Sequence, residues 1–173
     1  PKKEHQIYYA DIETCRKYDG EKYICVPFML CASDITGSWK KTYEGNLCVD
    51  SFLEDLPKNA LVYFHNLGFD GNFFKNFGHN VMIQKGSKIM SMQTKYANKT
   101  IYLRDSYSLL AKPLRDFPKV FPKAFPENMI KEVFPYDYYT FERVFNHFMY
   151  RSYSSVVLSI INSLLFRFRL VFG

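Results

Sequence analysis

The stretch QIYYADIE, residues 6–13, decides the fold class of this 173-residue chain. Its β-branched and aromatic residues predict a β-strand. Side chains at positions i and i+2 of a strand project from the same face, so we expect the carboxylates of Asp11 and Glu13 to point the same way. Such oxygen ligands suit Mg²⁺, although two solvated acids on a half-exposed strand are the plainer interpretation.

The flanking segments predict an α/β domain, a mixed sheet with helices on its faces, and exclude an all-α or all-β domain. Further strands are expected over residues 23–33, 38–43, 61–65, 88–96 and 100–105. Pro27 suggests a sheet edge or a β-bulge in the second strand. Helices are expected over residues 51–56, capped by Asp50 or Ser51, from Phe69 onward, and over residues 108–117.

A second motif, HNLGFD at residues 65–70, follows the apolar strand that we predict over residues 61–65. Asp70 falls in the first turn of the next helix, where a carboxylate usually serves as a cap or balances the helix dipole. The two motifs together place three carboxylates, those of Asp11, Glu13 and Asp70, at the ends of two core strands.

Both motifs resemble a known family. YYADIETC and LVYFHNLGFDGNFF are similar to the first and second exonuclease motifs of family B DNA polymerases, most of all the protein-primed subgroup of phages, linear plasmids and virus-like elements. Residues 101–121 resemble the strand–helix segment that follows, with Asp105 and Ser106 at its turn. Residues 131–134 resemble the subgroup's Lys-x-x-hydrophobic motif. The resemblance covers residues 6–142.

The resemblance implies an RNase H-like sheet of the DEDD 3′–5′ exonuclease type and two-metal hydrolysis of DNA 3′ ends. On this basis Asp11 bridges two Mg²⁺ or Mn²⁺ ions, Glu13 binds the ion that activates water, and Asp70 helps to hold the ion at the leaving 3′ oxygen. The implied partners are single-stranded DNA or a frayed primer 3′ end, the polymerase domain of a longer parent, and a terminal protein.

The resemblance also implies contacts with the DNA strand. Phe69 and Tyr63 are expected to stack on bases, and Lys131 to neutralise a phosphate. The residues expected to hydrogen-bond the strand are Thr14, His65, Asn66 and Ser106. Structural alternatives exist: Tyr63 and Phe69 as core aromatics, Ser106 as a helix cap, and Lys131 as a solvated surface lysine.

The family's fourth acid, in a Tyr-x-x-x-Asp motif, is missing. No aspartate follows Asp137, and the only later acid is Glu142. The water-activating metal site is then one ligand short, so we expect weak or no exonuclease activity from this chain alone. Polymerase catalytic motifs are not found either, so we expect no primer extension.

The chain divides by composition into an exonuclease-like domain, residues 1–147, and an unrecognised tail, residues 148–173, which is basic and apolar and contains no acid. The tail is either foreign, from a truncated or frameshifted gene, or a divergent helix that packs on the sheet. Its apolar run, residues 156–166, is too short and too often interrupted by polar residues to span a membrane.

The net charge of +6 and the 18% aromatic content suit an anionic partner and base stacking. Four cysteines without a CxxC pair, and no secretory signal, argue against a zinc knuckle or a disulfide framework. An intracellular location is therefore expected, mitochondrial for a linear plasmid and cytoplasmic or viral otherwise.

Alternative functions stay open at this point. The chain could be a non-catalytic module that binds single-stranded DNA, or a stand-alone DEDD ribonuclease that prefers RNA ends. A purely structural protein is the remaining alternative.

Overall fold

The computed structural model describes residues 5–78, 81–122 and 139–146. In these residues seven strands form one sheet, in the order β3-β2-β1-β4-β7-β6-β5. The strands are β1 (Ile7–Tyr18), β2 (Tyr23–Asp34), β3 (Lys40–Glu44), β4 (Leu61–Phe64), β5 (Val81–Lys85), β6 (Lys88–Tyr96) and β7 (Lys99–Asp105). The α-helices are α1 (Cys48–Asp55), α2 (Leu67–Asp70), α3 (Phe117–Val120) and α4 (Phe141–Asn146), and single 3-10 turns occupy Gly71–Phe74, Ser106–Ser108 and Leu114–Asp116.

The centre of the sheet is parallel, with antiparallel strands on both sides. β1 runs antiparallel to β2 but parallel to β4, and β4 runs parallel to β7. Tyr9 pairs with Tyr63, and Phe64 pairs with Asp105. Parallel strands end at the same edge of a sheet, so Asp11 lies just beyond the last residue that β1 pairs with β4. The predicted mixed α/β sheet is confirmed.

The two faces of β1 have different surroundings. Ile12 belongs to the main core, which packs the sheet against α1 and α2 through side chains such as Phe52 and Leu67. Asp11 and Glu13 alternate with Ile12 and therefore lie on the opposite face. Burying an aromatic or aliphatic side chain of this core contributes roughly 1.5–3 kcal/mol, so the main core fixes the orientation of β1 and with it the face that carries the acids.

The bulge suggested by Pro27 is present. Glu13 pairs with Met29 and Thr14 pairs with Pro27, which leaves Phe28 as an extra residue in β2. Phe28 and Met29 consequently lie together in a second apolar cluster, where Phe28 stacks on Tyr139 at a centroid distance of 5.2 Å. β2 as a whole lies between β3 and β1, but β3 pairs only with Met29 to Ser33, so among the described strands Pro27 also lies on a stretch of β2 that β3 does not cover.

The helix predictions were less accurate. α1 begins at Cys48, and neither Asp50 nor Ser51 caps it, since the residue before the helix is Leu47 and makes no side-chain capping bond. The helix predicted over residues 108–117 is wrong: the chain forms two short 3-10 turns there, and Pro113 precedes the second. Proline lacks the N–H that a helix interior requires.

β5 was not predicted at all. Its sequence, VMIQK, has only three apolar residues in a row and no alternation, which is too weak a signal for a strand, and all five residues are exposed. The bounds of the other strands agree with the sequence-based ones to within a few residues, except that β1 continues five residues further, to Tyr18.

Several predictions lie outside the described residues: the role of Lys131, the status of Asp137 and the conformation of the tail, residues 148–173. Within the described part of the chain, none of the helices has the length and apolar character needed to cross a membrane.

Lys99, the first residue of β7, caps the C-terminal end of α1. Its ammonium donates hydrogen bonds to the carbonyl oxygens of Leu53, Glu54 and Leu56, at 2.9, 2.5 and 3.0 Å. A helix leaves its last carbonyls without partners, and a cation there also offsets the negative end of the helix dipole. Lys99 therefore joins α1 to the centre of the sheet.

We predict that Lys99→Met lowers the free energy of unfolding by about 2 kcal/mol, because two partly buried carbonyls and one exposed carbonyl lose a charged donor. Urea denaturation followed by circular dichroism measures the change. Lys95→Met, on the exposed side of β6, removes the same charge without such bonds and should stay within about 0.5 kcal/mol of the parent. Equal effects of the two substitutions would contradict the capping role.

Candidate functional site

Asp11 and Glu13 lie on one face of β1, opposite Cys31 and Met29 of β2. Glu13 is buried, with 9% of its surface exposed. Burial raises the pKa of the Cys31 thiol to about 12, and the charges of Asp11 and Glu13 add to the increase. Both carboxylates are therefore close to the middle of the β1–β2 pair.

Asp70, in α2, is the third acid of the site and is only 3% exposed. The backbone N–H groups of Asp70 itself and of Ile12 interact favourably with its carboxylate, and its Oδ1 is buried without a hydrogen-bond partner. Burial raises the pKa of Asp70 well above its usual range, and the charges of Asp11 and Glu13 raise it further. The structure therefore brings the three predicted carboxylates together.

The chemistry of this group suits a hard divalent cation. A buried carboxylate oxygen without a donor is unfavourable, and a cation relieves both its desolvation and the repulsion from its neighbours. The group is not closed, however. Within residues 5–78, 81–122 and 139–146, no three acidic, histidine or cysteine side chains are grouped tightly enough to hold a metal ion as they stand.

The turn between β4 and α2 places Asp70. Asn66 adopts a left-handed conformation with φ 72°, which turns the chain sharply out of the sheet. Asp105, at the end of β7, stabilises this turn: its Oδ1 accepts hydrogen bonds from the backbone N–H groups of Asn66 at 3.0 Å, Leu67 at 3.2 Å and Tyr107 at 3.1 Å. Its Oδ2 accepts one from the Ser108 hydroxyl at 2.7 Å.

Sequence reasoning noted Asp105 only as a turn residue and assigned it no role. An aspartate at the end of a strand, with serines one and three residues later, is typical of a side chain that bonds the following backbone. That signal explains the bonds to Tyr107 and Ser108. It gives no indication of the bonds to Asn66 and Leu67, which are almost forty residues away in sequence.

His65 and Ser106 contact each other beside this turn. The Ser106 hydroxyl donates to the carbonyl of Phe64 at 3.1 Å and lies 3.1 Å from Nδ1 of His65. His65 Nε2 lies 3.0 Å from the carbonyl oxygen of Lys112 and must donate to it, because a carbonyl only accepts. Ser106 is buried and His65 is half-buried. Both residues stabilise the local backbone here, and their binding to a DNA strand stays a prediction.

The predicted aromatic ligands differ in exposure. Phe69 is 41% exposed, with its ring edge-on to Phe73 at a centroid distance of 5.6 Å. Tyr63 is half-buried, 6.0 Å from the ring of Tyr9. Phe69 immediately precedes the buried Asp70, so an accessible ring adjoins the acids. Phe69 is therefore not a buried core aromatic, and its stacking on a DNA base stays a prediction.

Two other predicted ligands flank the acids. Thr14, half-buried, follows Glu13 and pairs with Pro27 at the bulge, while Asn66 is exposed at the β4–α2 turn.

Glu142, the only acidic residue after Asp137 in the sequence, is exposed on α4. Its charge adds to the effect of burial in raising the pKa of Cys15. Glu142 is therefore near the part of β1 that lies beyond Glu13.

A match to a known protein family shows where this chain belongs. The family described as DNA polymerase type B, organellar and viral, matches residues 54–162, well over half of the chain. The chain belongs to this family. The match confirms the resemblance to family B DNA polymerases, and the organellar and viral character of the family agrees with the plasmid, phage and virus-like subgroup named from the motifs.

Solved structures extend the likeness to the part of the chain that precedes residue 54. Phi29 DNA polymerase complexed with single-stranded DNA gives a TM-score of 0.68 at 21% identity, covering 97% of this chain and 31% of that one. The same polymerase complexed with primer-template DNA gives 0.67 at 18% identity, with 97% and 31% covered. Its ternary complex with primer-template DNA and incoming nucleotides gives 0.64 at 18%, with 97% and 30% covered.

These likenesses show the fold, which is α/β and consistent with the RNase H-like class. The chain spans about a third of the length of the phi29 polymerase chains that it matches. No curated protein sequence matches it.

We predict that Asp105→Ala lowers the free energy of unfolding by about 2–4 kcal/mol, because three backbone N–H groups lose their acceptor. Asp105→Asn keeps an oxygen at Oδ1 and should cost less than about 1.5 kcal/mol. Hydrogen exchange supplies the specific measurement: the amides of Asn66 and Leu67 should lose protection in the alanine variant and keep most of it in the asparagine variant. Equal loss in both variants would show that the charge, rather than the acceptor geometry, stabilises the turn.

Proposed function

We propose that this chain is the 3′–5′ exonuclease region of a protein-primed family B DNA polymerase, which removes nucleotides from DNA 3′ ends. The proposal rests on one observation: three acidic residues lie close together just beyond the ends of parallel strands, namely Asp11, Glu13 and Asp70. One buried oxygen of Asp70 has no hydrogen-bond partner there. Membership of the type B polymerase family supports it.

The three carboxylates are the groups that would hold the divalent ions, Mg²⁺ or Mn²⁺. Bound there, such ions supply Lewis-acid stabilisation of the charge that develops on a phosphodiester during hydrolysis. The main core fixes the face of β1 that carries Asp11 and Glu13. The Ile12 N–H interacts with the carboxylate of Asp70, whose Oδ1 is left for a ligand.

The proposed substrate is the 3′ end of a single strand. Phe69 would stack on a terminal base, since its exposed ring adjoins the acids. Asn66 is exposed at the same turn and would hydrogen-bond the strand. The phi29 polymerase structures that share this fold hold single-stranded or primer-template DNA, which supports a DNA partner. A terminal protein and a polymerase domain would be further partners, in a mitochondrial or viral setting.

We expect weak hydrolysis, because the fourth acid is missing and the described residues form no closed metal site. The test is the shortening of 5′-labelled single-stranded DNA in Mg²⁺ or Mn²⁺. Slow stepwise loss from the 3′ end should fall at least about 100-fold in Asp11→Ala, since metal ligation contributes several kcal/mol of transition-state stabilisation. Glu54→Ala, an exposed acid on α1, is the matched control and should retain the parent rate.

One result would contradict the proposed function, and another would contradict only the expectation of weak hydrolysis. Cleavage that persists in Asp11→Ala would place the chemistry elsewhere, or in a contaminating nuclease. Vigorous cleavage by the parent would keep the function but overturn the expectation of an incomplete site.

Metal binding has a readout that needs no activity. In the absence of divalent ions, Asp70→Asn should raise the melting temperature, because it removes a carboxyl group whose ionisation is opposed by burial and by the charges of Asp11 and Glu13. Added Mn²⁺ should raise the melting temperature of the parent, as a ligand of the native state does, and not that of Asp70→Asn. An equal Mn²⁺ response from both proteins would exclude Asp70 as a ligand.

A second candidate function is a non-catalytic module that binds single-stranded DNA. The observation that favours it is the absence of a closed three-ligand group among the described residues, beside an accessible Phe69. Salt-sensitive binding of the labelled strand, without cleavage by the parent in either metal, would support this alternative over the exonuclease.

A further inference from the structure

The hairpin formed by β5 and β6 ends in two lysines that face each other. Lys85 pairs directly with Lys88, and the turn between them is Gly86-Ser87, with Gly86 at φ 62°. Like charges directly opposite each other destabilise a strand pair. Among residues that the structure describes, neither lysine forms an ion pair with an acid. An anion bound at this position would remove the repulsion.

The lysine pair lies beside the exposed aromatic ring of the site. A side chain built on Gly68 would begin 3.7 Å from the carbonyl oxygen of Ser87, so the hairpin turn packs against the residue that precedes Phe69. The Lys88 ammonium lies 5.4 Å above the ring of Tyr107. This contact orients Lys88 toward the β4–α2 turn, since the Tyr107 ring is 5.3 Å from that of His65.

Exposed aromatics next to cations are the combination that binds single strands: the rings stack on bases and the cations follow the phosphates. The acids of the site repel phosphates, so attraction has to come from the rim around them. We infer that Lys85 and Lys88 form a phosphate subsite for the strand whose end stacks on Phe69. The inference rests on the proposed function for the identity of that strand.

The test measures affinity for a labelled oligothymidylate as a function of salt, without divalent ions, so that hydrolysis does not contribute. A bound phosphate on a single strand contributes about 0.7 to the slope of log affinity against log salt. The slope for the Lys85→Gln/Lys88→Gln variant should therefore be smaller than that of the parent by about 1.4. The matched control is Lys58→Gln/Lys95→Gln, which removes the same charge from two exposed positions. Lys95 lies at the end of β6 that is far from the hairpin turn, and Lys58 precedes Asn59, which bonds Thr100 opposite Lys95.

A smaller slope in the hairpin variant, with the parent slope in the control, supports the subsite. Equal slopes in the parent and the hairpin variant overturn it, as do equal reductions in both variants, which would indicate a general charge effect. A parent that shows no salt-dependent binding also overturns it. Because hydrolysis is not measured, the proposed exonuclease can fail while the subsite is confirmed, and the reverse.

Discussion

The carboxylate of Asp105 ties the ends of two parallel strands together, and the candidate site depends on this link. After β4 the chain must leave the sheet at once, which turns N–H groups toward a region where no strand accepts them. A single oxygen of Asp105 accepts two such groups, those of Asn66 and Leu67, and also the N–H of Tyr107, which follows β7. Leu67 then enters the core, fully buried, and the short helix that it begins carries Asp70 onto the backbone of Ile12.

Asp70 is held in a position that opposes folding. Its carboxylate is buried, repelled by two neighbouring acids, and has one oxygen without a hydrogen-bond partner. An isolated protein gains nothing from such a group, and sites that violate the rules of polar burial are commonly functional ones. The surrounding packing maintains this arrangement: Phe64 and Phe74 contact edge-on at 5.5 Å directly beneath the turn and are fully buried.

Most of the sheet could be predicted from the sequence, because buried strands concentrate apolar and β-branched residues. β5 could not, since each of its residues is exposed and its place is determined only by pairing with β6. The start of α1 was poorly predicted because no side chain caps it: Leu47 precedes the helix and makes no capping bond. The end of α1, which was predicted to within one residue, is capped by Lys99 from more than forty residues away in sequence.

In the site, too, features set by local sequence could be predicted, and features set by distant residues could not. The spacing of Asp11 and Glu13 on a strand predicted their common face from local geometry alone. Asp70 alone looked like an ordinary helix residue. The predicted strand ends placed it near the other two acids, and the resemblance to a motif gave it a role as a ligand. Its burial and its interaction with Ile12 depend on tertiary structure. Asp105 was missed because its main partners, Asn66 and Leu67, are distant in sequence.

The charges of the site are arranged in two zones, and this arrangement bears on the order of events. The centre of the site is a cluster of acidic side chains, those of Asp11, Glu13 and Asp70. This cluster disfavours an approaching phosphate until cations are bound. Lys85 and Lys88 lie on the rim, beside the exposed ring of Phe69. Coulomb attraction at an exposed rim acts over about one Debye length, roughly 8 Å at physiological salt. A strand can therefore be held at the rim before the acids are neutralised, and binding and hydrolysis become separable properties of one surface.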